Sequence, residues 1–486
     1  MKLMYHLYVD EYRKRRKDLE NAFQKRDINK TISYLRYLTN FLYESNYKFT
    51  DDFLEDVTQD ISKELLGETF IRQSNKKTVL FYDGFGLICR GLADIYVKAL
   101  AELGYEVIYV LGEWTRLSGK FQELYGDIPN IKCRRIKNGG ITNRMKELQE
   151  IILEVSPATL FLYTQPSDVA GVGTFSTICG EQVTRYLIDL TDHAYWLGKC
   201  AVDYFIGFRN WGYNLSIKYR NIVPEKYIIL PFYPDERTSY SFEGLPSAME
   251  GGEFVFSGGN IDKIQGSKKY QKMVEHILTV YPEVNFLYAG NGTNKVLERL
   301  KKQFSNRFFI VNERKDLDEI FSRAKFYLST YPIGGGLMLQ FALKNKCIPL
   351  TLSKHRNGFS DLNMMLLYPE EVNIVFYNTE ELYEEMDRIM RTDGYCEKVR
   401  QGLGKQVIEK DKFQEQLELI LKNHVTEFVG TTEDIYVKDL LQTFRKKATY
   451  KKYCNIIFSS RNENVYKSHP MIVRKMQRLQ KKKAKR

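Results

Sequence analysis

Short apolar runs alternate with amphipathic stretches in two successive series along this chain, and this alternation constrains the fold more than any other feature. The first series predicts strands at 79–82, 107–111, 131–136, 159–163, 183–189, 204–207 and 227–230. The second predicts strands at 254–257, 285–289, 308–311, 326–329 and 348–352, with helices at 268–280, 295–304, 317–323 and 337–345. Parallel strands need a crossover between them, usually a helix, so this pattern indicates parallel sheets covered by helices. The chain is therefore predicted to be an α/β protein with two lobes.

The boundary between the lobes is expected near residue 245. There a Pro-Phe-Tyr-Pro sequence at 231–234 and a turn-rich stretch at 243–252 interrupt the alternation. The chain is predicted to divide into a helical N-terminal extension (1–73), a first lobe (74–245), a second lobe (246–395) and a helical C-terminal segment (396–486). Its length of 486 residues is sufficient for two independent hydrophobic cores.

Composition places the chain among ordinary globular proteins. It is 43% hydrophobic and 28% charged, unlike disordered chains. No apolar run approaches the about 18 residues of a membrane-spanning helix, and residues 1–16 lack the apolar core of a secretory signal. Seven cysteines are scattered without a CxxC pair, which indicates reduced thiols. We expect a cytoplasmic protein.

The excess positive charge is confined to the end of the chain. Residues 441–486 contain fifteen Lys and Arg against one acidic residue, Glu463, whereas the whole chain carries a net charge of +12. The first 440 residues are therefore close to neutral, at about −2. The apolar residues interleaved with the basic ones are Ile456, Ile457, Phe458, Met471, Ile472 and Val473. This mixture indicates an arm that docks on the anionic inner face of a membrane, with a merely solvated tail as the alternative. Nucleic acid attracts the same charge, but the rest of the chain has no nucleic-acid-binding signature, so no nucleic-acid partner is expected.

Three glycine-rich turns follow predicted strands of the second lobe. They contain Ser257, Gly258 and Gly259, then Gly290 and Asn291, then Gly334, Gly335 and Gly336. The carboxyl ends of parallel strands share one edge, where helix N-termini offer free N–H groups to anions. Because glycine lets the backbone approach a ligand closely, these residues are predicted to contact a diphosphate. The alternative is that the glycines only make tight turns, which is common for one such turn and less so for three on one edge.

The first lobe has a glycine turn of a different kind. Gly84, Gly86 and Gly91 follow its first strand with the spacing GxGx4G. The dinucleotide fingerprint is GxGxxG, so a nicotinamide or flavin enzyme is disfavoured, and a P-loop sequence is absent.

The second lobe resembles that of a known family. The run STYPIGGGLMLQFAL at 329–343, with FSGG at 256–259 and YAGNG at 288–292, is similar to GT-B nucleotide-sugar glycosyltransferases of the family 4 and family 1 type. The resemblance covers about residues 75–395 and is strongest over 253–352. It implies two Rossmann-like lobes, a donor diphosphate held by the glycine-rich turns, and an acceptor against the first lobe near Gly84 and Gly86.

The resemblance also implies a hexosyltransferase that needs neither a metal nor a cofactor beyond its nucleotide-sugar donor. In such enzymes helix N-termini and basic side chains stabilise the departing diphosphate. Lys263 or Lys268 would supply the basic group here, and Arg356, on the loop after the last predicted strand, would contact the diphosphate or the sugar unless it is simply solvated. Many members place a Glu where this chain has Gln340, which can hydrogen-bond a ribose but offers no charge.

Candidate catalytic groups lie in the segment DLTDHAYWLG at 189–198. Its position after a predicted strand places Asp192 and His193 at the carboxyl edge of the first lobe. A histidine beside a carboxylate would accept the proton of an acceptor hydroxyl in an inverting transfer, or would position the donor sugar in a retaining one. Tyr195 and Trp196 would stack on the acceptor. Alternatively, Asp192 caps a helix and the other side chains pack in the interior.

Together these features predict transfer of a sugar from a UDP-linked donor to a glycan or lipid-linked acceptor in cell-surface polysaccharide biosynthesis. Two alternatives stay open: a catalytically inactive binding partner of another transferase, and a transferase that modifies proteins.

Overall fold

The computed structural model describes residues 2–72, 74–86, 92–112, 118–137, 139–234, 241–264, 266–292, 294–447, 449–460 and 462–484. Its strands are β1 (Thr69–Phe70), β2 (Asn75–Asp83), β3 (Glu106–Leu111), β4 (Ile131–Arg135), β5 (Pro157–Tyr163), β6 (Ile178–Cys179), β7 (Thr184–Ile188), β8 (Tyr204–Gly207), β9 (Tyr227–Ile229), β10 (Phe254–Gly258), β11 (Asn285–Ala289), β12 (Phe308–Val311), β13 (Tyr327–Leu328), β14 (Pro349–Leu352) and β15 (Val375–Phe376).

The helices precede, separate and follow these strands. They are α1 (Lys2–Gln24), α2 (Ile28–Ser45), α3 (Asp52–Leu66), α4 (Leu92–Glu102), α5 (Ser118–Tyr125), α6 (Ile141–Val155), α7 (Val169–Ser176), α8 (Asn210–Arg220), α9 (Lys268–Val280), α10 (Lys295–Gln303), α11 (Leu317–Arg323), α12 (Gly336–Lys344), α13 (Thr379–Arg391), α14 (Tyr395–Leu403), α15 (Lys410–Asn423), α16 (Lys438–Lys447), α17 (Tyr450–Ser459), α18 (Glu463–Ser468) and α19 (Pro470–Ala484).

The first sheet has seven parallel strands in the order β4-β3-β2-β5-β7-β8-β9. Its central strands are buried on both faces, which explains their continuous apolar sequence. Aromatic rings of neighbouring strands stack across one face, as Phe81 does on Tyr109 and Phe161 does on Tyr186. The strand order reverses between β2 and β5, which creates a crevice at their carboxyl ends.

The second sheet has six parallel strands in the order β12-β11-β10-β13-β14-β15. Its order reverses between β10 and β13, so the glycine-rich turns after these strands lie beside its crevice. The two parallel sheets confirm the predicted α/β fold with two lobes. The sequence pattern missed β1, β6 and β15, because a two-residue strand is too short to show a periodicity.

The N-terminal extension forms three helices that cover one face of the first sheet. Leu35, Leu38 and Phe41 of α2 are fully buried, and they share a core with α6, α7 and strand residues such as Leu80. The apolar face of α2 repeats every three or four residues, as required for a helix packed on one side. The extension is therefore part of the first lobe's core.

The C-terminal segment returns from the second lobe to the first. On α15, Phe413 packs edge-on against Tyr96 of α4, with ring centroids 5.1 Å apart. Further along, Tyr453 of α17 packs against Tyr8 of α1 at 5.4 Å. The beginning and the end of the chain thus pack together.

Several apolar residues of the basic tail are part of this packing. Ile456, Ile457 and Val473 are buried, and Phe458 and Ile472 are half-buried. Only Met471 of the six interleaved apolar residues is exposed. Most of the apolar surface expected to face a membrane is therefore used within the protein. Among the described residues, no helix is both long enough and apolar enough to span a membrane.

A linking segment, residues 431–437, connects the two lobes after α15. Asn214 of α8, in the first lobe, donates to Thr431 O at 2.9 Å. A few residues later Tyr436 N donates to Asn357 O at 2.8 Å, on the loop that follows β14 in the second lobe. This segment holds the loop after β14 against the carboxyl edge of the first sheet.

Candidate functional site

The turns after β10 and β11 meet at the carboxyl edge of the second sheet. Gly259 N donates to Ala289 O at 2.9 Å. A Cβ atom at Gly290 would lie 2.5 Å from Gly259 O, and one at Gly258 would lie 2.9 Å from Ala289 O. These two glycines are therefore required by the close approach of the two turns, as the tight-turn alternative expects.

Packing also restricts two of the three glycines at the start of α12. A Cβ at Gly334 would lie 3.1 Å from the Leu362 side chain, and a Cβ at Gly336 would lie 2.7 Å from Met365 Sδ. Both neighbours belong to the short helical turn after β14. Because these neighbours are the ends of flexible side chains, the packing restricts Gly334 and Gly336 less strictly than the backbone contacts restrict Gly258 and Gly290.

Gly259 and Gly335 differ from Gly258 and Gly290 because no backbone atom of a neighbouring turn is the closest atom to their Cβ positions. Gly259 has φ +123°, and no described atom lies within 4 Å of its Cβ position. At Gly335, the atoms nearest to the Cβ position belong to side chains: Lys263 Nζ at 3.3 Å and Met338 Cβ at 3.4 Å. Gly335 is the residue before α12, and no described side chain caps the helix there. The ammonium of Lys263 thus lies close to the start of α12, where the first-turn N–H groups carry the positive end of the helix dipole.

Three other residues predicted to bind the donor have their side chains in contact with other residues of the protein. Ser257 is buried and its hydroxyl accepts a 2.7 Å hydrogen bond from Tyr270, so its side chain does not reach the edge. Asn291 is exposed, and its Nδ2 donates a 3.0 Å hydrogen bond to Glu313 Oε2. The Arg356 guanidinium lies over the Tyr377 ring at 4.3 Å.

Gln340 lies one turn into α12 with its side chain buried. It is 3% exposed, and its Oε1 has no hydrogen-bond partner among the described residues. A buried amide oxygen without a partner costs about 1–3 kcal/mol, so a ligand hydroxyl or a water is its expected partner. This observation is consistent with the predicted contact to a ribose.

Asp192 and His193 lie after β7, at the carboxyl edge of the first sheet. The Asp192 carboxylate is buried and accepts hydrogen bonds from Arg209 Nε at 2.6 Å and Arg209 Nη2 at 3.0 Å. Its Oδ1 also lies 3.3 Å from His193 Nδ1. Burial by itself raises the pKa of Asp192, but the guanidinium of Arg209 and the hydrogen bonds hold that pKa well below its usual value. Asp192 is therefore an ionised partner of the imidazole. It does not cap a helix.

The imidazole of His193 faces the second lobe. Its side chain is 35% exposed, and its ring centroid lies 4.9 Å from that of Phe359, on the loop after β14. From the N-terminal extension, Asn46 Nδ2 donates to His193 O at 3.1 Å, and Asn46 Oδ1 accepts from Tyr195 N at 2.8 Å. The extension thus helps to fix the histidine between the lobes.

A second buried ion pair supports this loop and was not predicted. Arg220 is fully buried and donates to the carbonyl oxygens of Asp192 and Ala194 at 2.9 and 2.7 Å. Asp189 lies 3.6 Å from Arg220, and burial, partly opposed by Arg220, raises the pKa of Asp189 to about 6. The sequence near Arg220 does not reveal this role, because Asp189, Asp192 and Ala194 lie more than twenty residues away along the chain.

The predicted stacking of Tyr195 and Trp196 on an acceptor is not supported. Tyr195 is 0% exposed and Trp196 is 4% exposed, within the core shared with the N-terminal extension. The Trp196 ring instead faces the guanidinium of Arg220 at 4.7 Å. A buried ring has no free face for a sugar, so these two residues stabilise the loop.

Gly84 and Gly86 shape the turn after β2. A Cβ at Gly84 would lie 1.8 Å from Thr164 Oγ1, so this position excludes other residues. Gly86 has φ +73°, and its N–H donates to Asp83 Oδ1 at 2.9 Å. Gly84 lines a cavity of about 290 Å³, which the sequence did not reveal.

Gly91, the third glycine of this motif, and Cys89 lie outside the described residues. Within the described residues, no group of three or more His, Cys, Asp or Glu is arranged to hold a metal ion.

Comparison with known proteins identifies the fold. No protein-family model matches the chain, and no curated protein matches its sequence. A putative UDP-N-acetylglucosamine 2-epimerase from Listeria monocytogenes matches with a TM-score of 0.51 and 13% identity, over 72% of this chain and 97% of that chain. A mutant of S. aureus TarM, in complex with fondaparinux, alpha-GlcNAc-glycerol and UDP, matches with a TM-score of 0.50 and 8% identity, over 71% of this chain and 100% of that chain. At these identities the likeness shows the fold alone, which is GT-B.

Proposed function

We propose that this GT-B chain is a glycosyltransferase that moves a sugar from a UDP-sugar to a glycan or lipid-linked acceptor in cell-surface polysaccharide biosynthesis. The observation that carries the proposal is the position of Lys263 Nζ beside Gly335, at the uncapped N-terminus of α12. The fold alone does not decide the reaction, because one fold serves many chemistries. The proposal therefore rests on this site and on His193.

The α12 site suits a leaving diphosphate. When the bond from the sugar's anomeric carbon to the diphosphate breaks, negative charge accumulates on the diphosphate oxygens. The N–H groups at the start of α12 and the Lys263 ammonium are oriented before the reaction, so they stabilise this charge without reorganising. Gly335 leaves the room that the oxygens need to approach the backbone.

His193 suits the acceptor side of an inverting transfer. The acceptor hydroxyl oxygen forms the new bond to the anomeric carbon, and its proton passes to His193 Nε2. The Nδ1 side faces Asp192, whose ionised carboxylate stabilises the imidazolium that forms. In a retaining transfer, His193 would instead hold the donor sugar. The contact with Phe359 puts the imidazole at the boundary of the lobes, and the proposal requires donor and acceptor to meet there.

Calorimetric titration with UDP tests the donor site directly. We expect UDP to bind the wild-type protein, and Lys263→Gln to weaken this binding by about tenfold or more, since a charge-assisted contact is lost. The matched control is Lys272→Gln, which removes the same charge from an exposed position of α9 and should bind UDP normally.

The same titration addresses the inactive alternative. If millimolar UDP and UDP-sugars do not bind the wild-type protein, the enzyme proposal is wrong and a binding partner of another transferase becomes the better account. If UDP binds, incubation with labelled UDP-sugars and a cell lysate identifies the acceptor class. Label in a lipid or polysaccharide fraction supports the proposal, whereas label in protein supports the protein-modifying alternative.

A further inference from the structure

Phe359 brings the second lobe into contact with the candidate base of the first lobe. It lies on the loop after β14, and its side chain is half-buried. Its ring centroid lies 4.9 Å from that of His193 and 5.8 Å from that of Trp211, a fully buried residue of α8. The guanidinium carbon of Arg209 lies 5.8 Å from the centroid of the same ring. One side chain of the second lobe therefore contacts both the imidazole and the arginine that binds Asp192.

The loop that carries Phe359 is fixed to the second lobe by a buried carboxylate, that of Asp361. Asp361 Oδ2 accepts hydrogen bonds from Asn357 N at 2.8 Å and from the hydroxyl of Tyr377, after β15, at 3.0 Å. Asp361 N in turn donates to Gly358 O at 2.9 Å. These bonds close the loop on both sides of Phe359, so the position of its ring follows that of the second lobe.

A small apolar cluster holds this loop against the first lobe. Phe359 and Phe444 of α16 are half-buried and pack against it. Its buried members come from all four parts of the chain: Phe49 of the extension, Trp211 and Leu215 of α8, Met364 of the second lobe, and Val437 and Leu440 of the C-terminal segment. Separation of the lobes would expose these apolar side chains to water. The cluster therefore favours the arrangement in which Phe359 contacts His193.

The contacts of His193 within the first lobe leave its ring incompletely fixed. Asn46 binds the backbone carbonyl of His193 and not the imidazole. The distance from His193 Nδ1 to Asp192 is 3.3 Å, which is long for a hydrogen bond between nitrogen and oxygen, whereas Arg209 binds that carboxylate at 2.6 Å. The χ2 torsion of histidine has a broad minimum, so one long hydrogen bond does not fix the plane of the ring. The packing of Phe359 supplies a second contact.

We propose that Phe359 is a positioning residue for the base: its ring packs on His193 when the lobes are together and directs Nε2 towards the acceptor hydroxyl. The inference rests on the proposed function, since it concerns the proton acceptor of that reaction. An aromatic pair favours one ring orientation by up to about tenfold, and a misplacement of about 1 Å can slow a reaction by about a hundredfold. The base is therefore in place only when the second lobe contacts the first.

A double-mutant cycle tests this inference. Phe359→Leu keeps an apolar side chain but removes the ring, so we expect kcat to fall about tenfold while UDP affinity and the KM for the UDP-sugar stay unchanged. Phe359→Tyr keeps the ring and should retain most of the rate. In a His193→Ala protein, Phe359→Leu should lower turnover no further, because Phe359 acts through the imidazole. The matched control is Phe444→Leu, since Phe444 packs on the same cluster and has no ring contact with His193 among the described residues.

An NMR measurement separates this inference from the proposed function, because it requires no turnover. The chain has six histidines, and the Cε1–H signal of His193 is identified by its loss in His193→Ala. An aromatic ring packed on the imidazole shifts this signal, so Phe359→Leu should move it and Phe444→Leu should leave it in place. A moved signal in a protein that transfers no sugar supports the packing and overturns the transferase.

Three results would overturn the positioning role in a protein that does transfer sugar. They are an unmoved His193 signal in Phe359→Leu, additive losses of turnover in the double variant, and a UDP affinity that falls together with kcat. The last result would assign Phe359 to the donor site.

Discussion

At the scale of single residues, the glycines of the second lobe divide into two groups that the sequence cannot distinguish. Gly258 and Gly290 are fixed by contacts of 2.9 Å or less between a Cβ position and a neighbouring backbone oxygen. No described atom lies within 4 Å of the Cβ position of Gly259, and side-chain atoms of Lys263 and Met338 are the nearest to that of Gly335. A glycine-rich motif therefore combines packing requirements with ligand-binding ones, and only the positions with room beside them are candidates for ligand contact.

The role of His193 leads to a prediction at this scale. His193→Ala should lower turnover about a hundredfold or more, because proton transfer by a positioned base contributes about that much. UDP affinity should stay unchanged, since the proposed donor site lies in the second lobe. Asp192→Asn should also lower turnover, because the ionised carboxylate that stabilises the imidazolium is lost. Steady-state kinetics with the identified acceptor, together with UDP titration, measures both effects.

The exposed His6 provides the control for this experiment. His6→Ala lies on α1 away from the lobes' boundary and should leave turnover unchanged. Normal turnover in His193→Ala would remove this residue from the reaction and leave the Asp192–Arg209 pair as a structural element of the loop.

At the scale of helices and strands, the sequence predicted the architecture well and its long-range contacts poorly. The predicted bounds agree with the structure for α9, α11, β11 and β12. Each of these elements is long enough to show the hydrophobic repeat that is typical of a helix or of a buried strand. The pairing of Arg220 with Asp189 and the cavity formed with Arg36 depend on residues that are distant along the chain. Local periodicity carries no information about such contacts.

The basic tail shows the same limit. Ile456 and Ile457, interpreted from sequence as part of a membrane-facing surface, are buried between helices. An amphipathic helix has the same sequence pattern whether its apolar face meets a membrane or another helix. The fold distinguishes the two cases, because the core that contains Ile456 and Ile457 also contains residues of α1 and α2.

The buried carboxylate of Glu11 joins these helices and leads to a prediction at the element scale. Glu11 accepts hydrogen bonds from Arg15 at 2.8 Å and Tyr37 at 2.9 Å, and lies 3.0 Å from His469 Nε2. Burial by itself raises its pKa, but the hydrogen bonds from His469 and Arg15 lower the pKa of Glu11 to about 2. Its stabilising contribution is therefore complete above the unfolded-state pKa of about 4 and is lost as the pH falls towards 2.

Glu11→Gln should destabilise the protein by about 3 kcal/mol at neutral pH, because it removes the buried carboxylate that pairs with Arg15 and leaves that arginine only the partly exposed Asp18 among the described carboxylates. The variant should also lose the part of the acid sensitivity that lies between about pH 4 and pH 2. Urea unfolding at several pH values measures both. Glu44→Gln, which removes a half-exposed partner of Lys452, should cost less than about 1 kcal/mol. Equal effects of the two substitutions would contradict the assigned role of Glu11.

At the scale of the whole molecule, the two ends of the chain and the linking segment hold the candidate groups in place. The second lobe provides the proposed diphosphate site at Lys263, the first lobe provides His193, and Phe359 on the loop after β14 contacts the imidazole. The N-terminal extension supports the loop of His193 through Asn46 and lines the cavity beside Gly84 through Arg36. The extension and the C-terminal segment thus complete the first lobe's side of the site, while α19 remains at the outside of this assembly.

The exposed face of α19 leads to a prediction about where the protein acts. Arg474, Lys475 and Arg478 are exposed, as are Met471 and Leu479. Because the other apolar residues of the tail are mostly buried or half-buried, we expect docking to an anionic membrane to be mainly electrostatic. Each basic residue near such a surface contributes about 1 kcal/mol, so replacing the three by Gln should weaken binding to phosphatidylserine-containing vesicles about a hundredfold. Binding should also fall as ionic strength rises.

The matched control replaces the exposed Lys268, Lys269 and Lys272 of α9 by Gln. Vesicle sedimentation decides the matter: equal binding by the two triple variants, or binding to neutral vesicles as strong as to anionic ones, would show that α19 is not the docking surface.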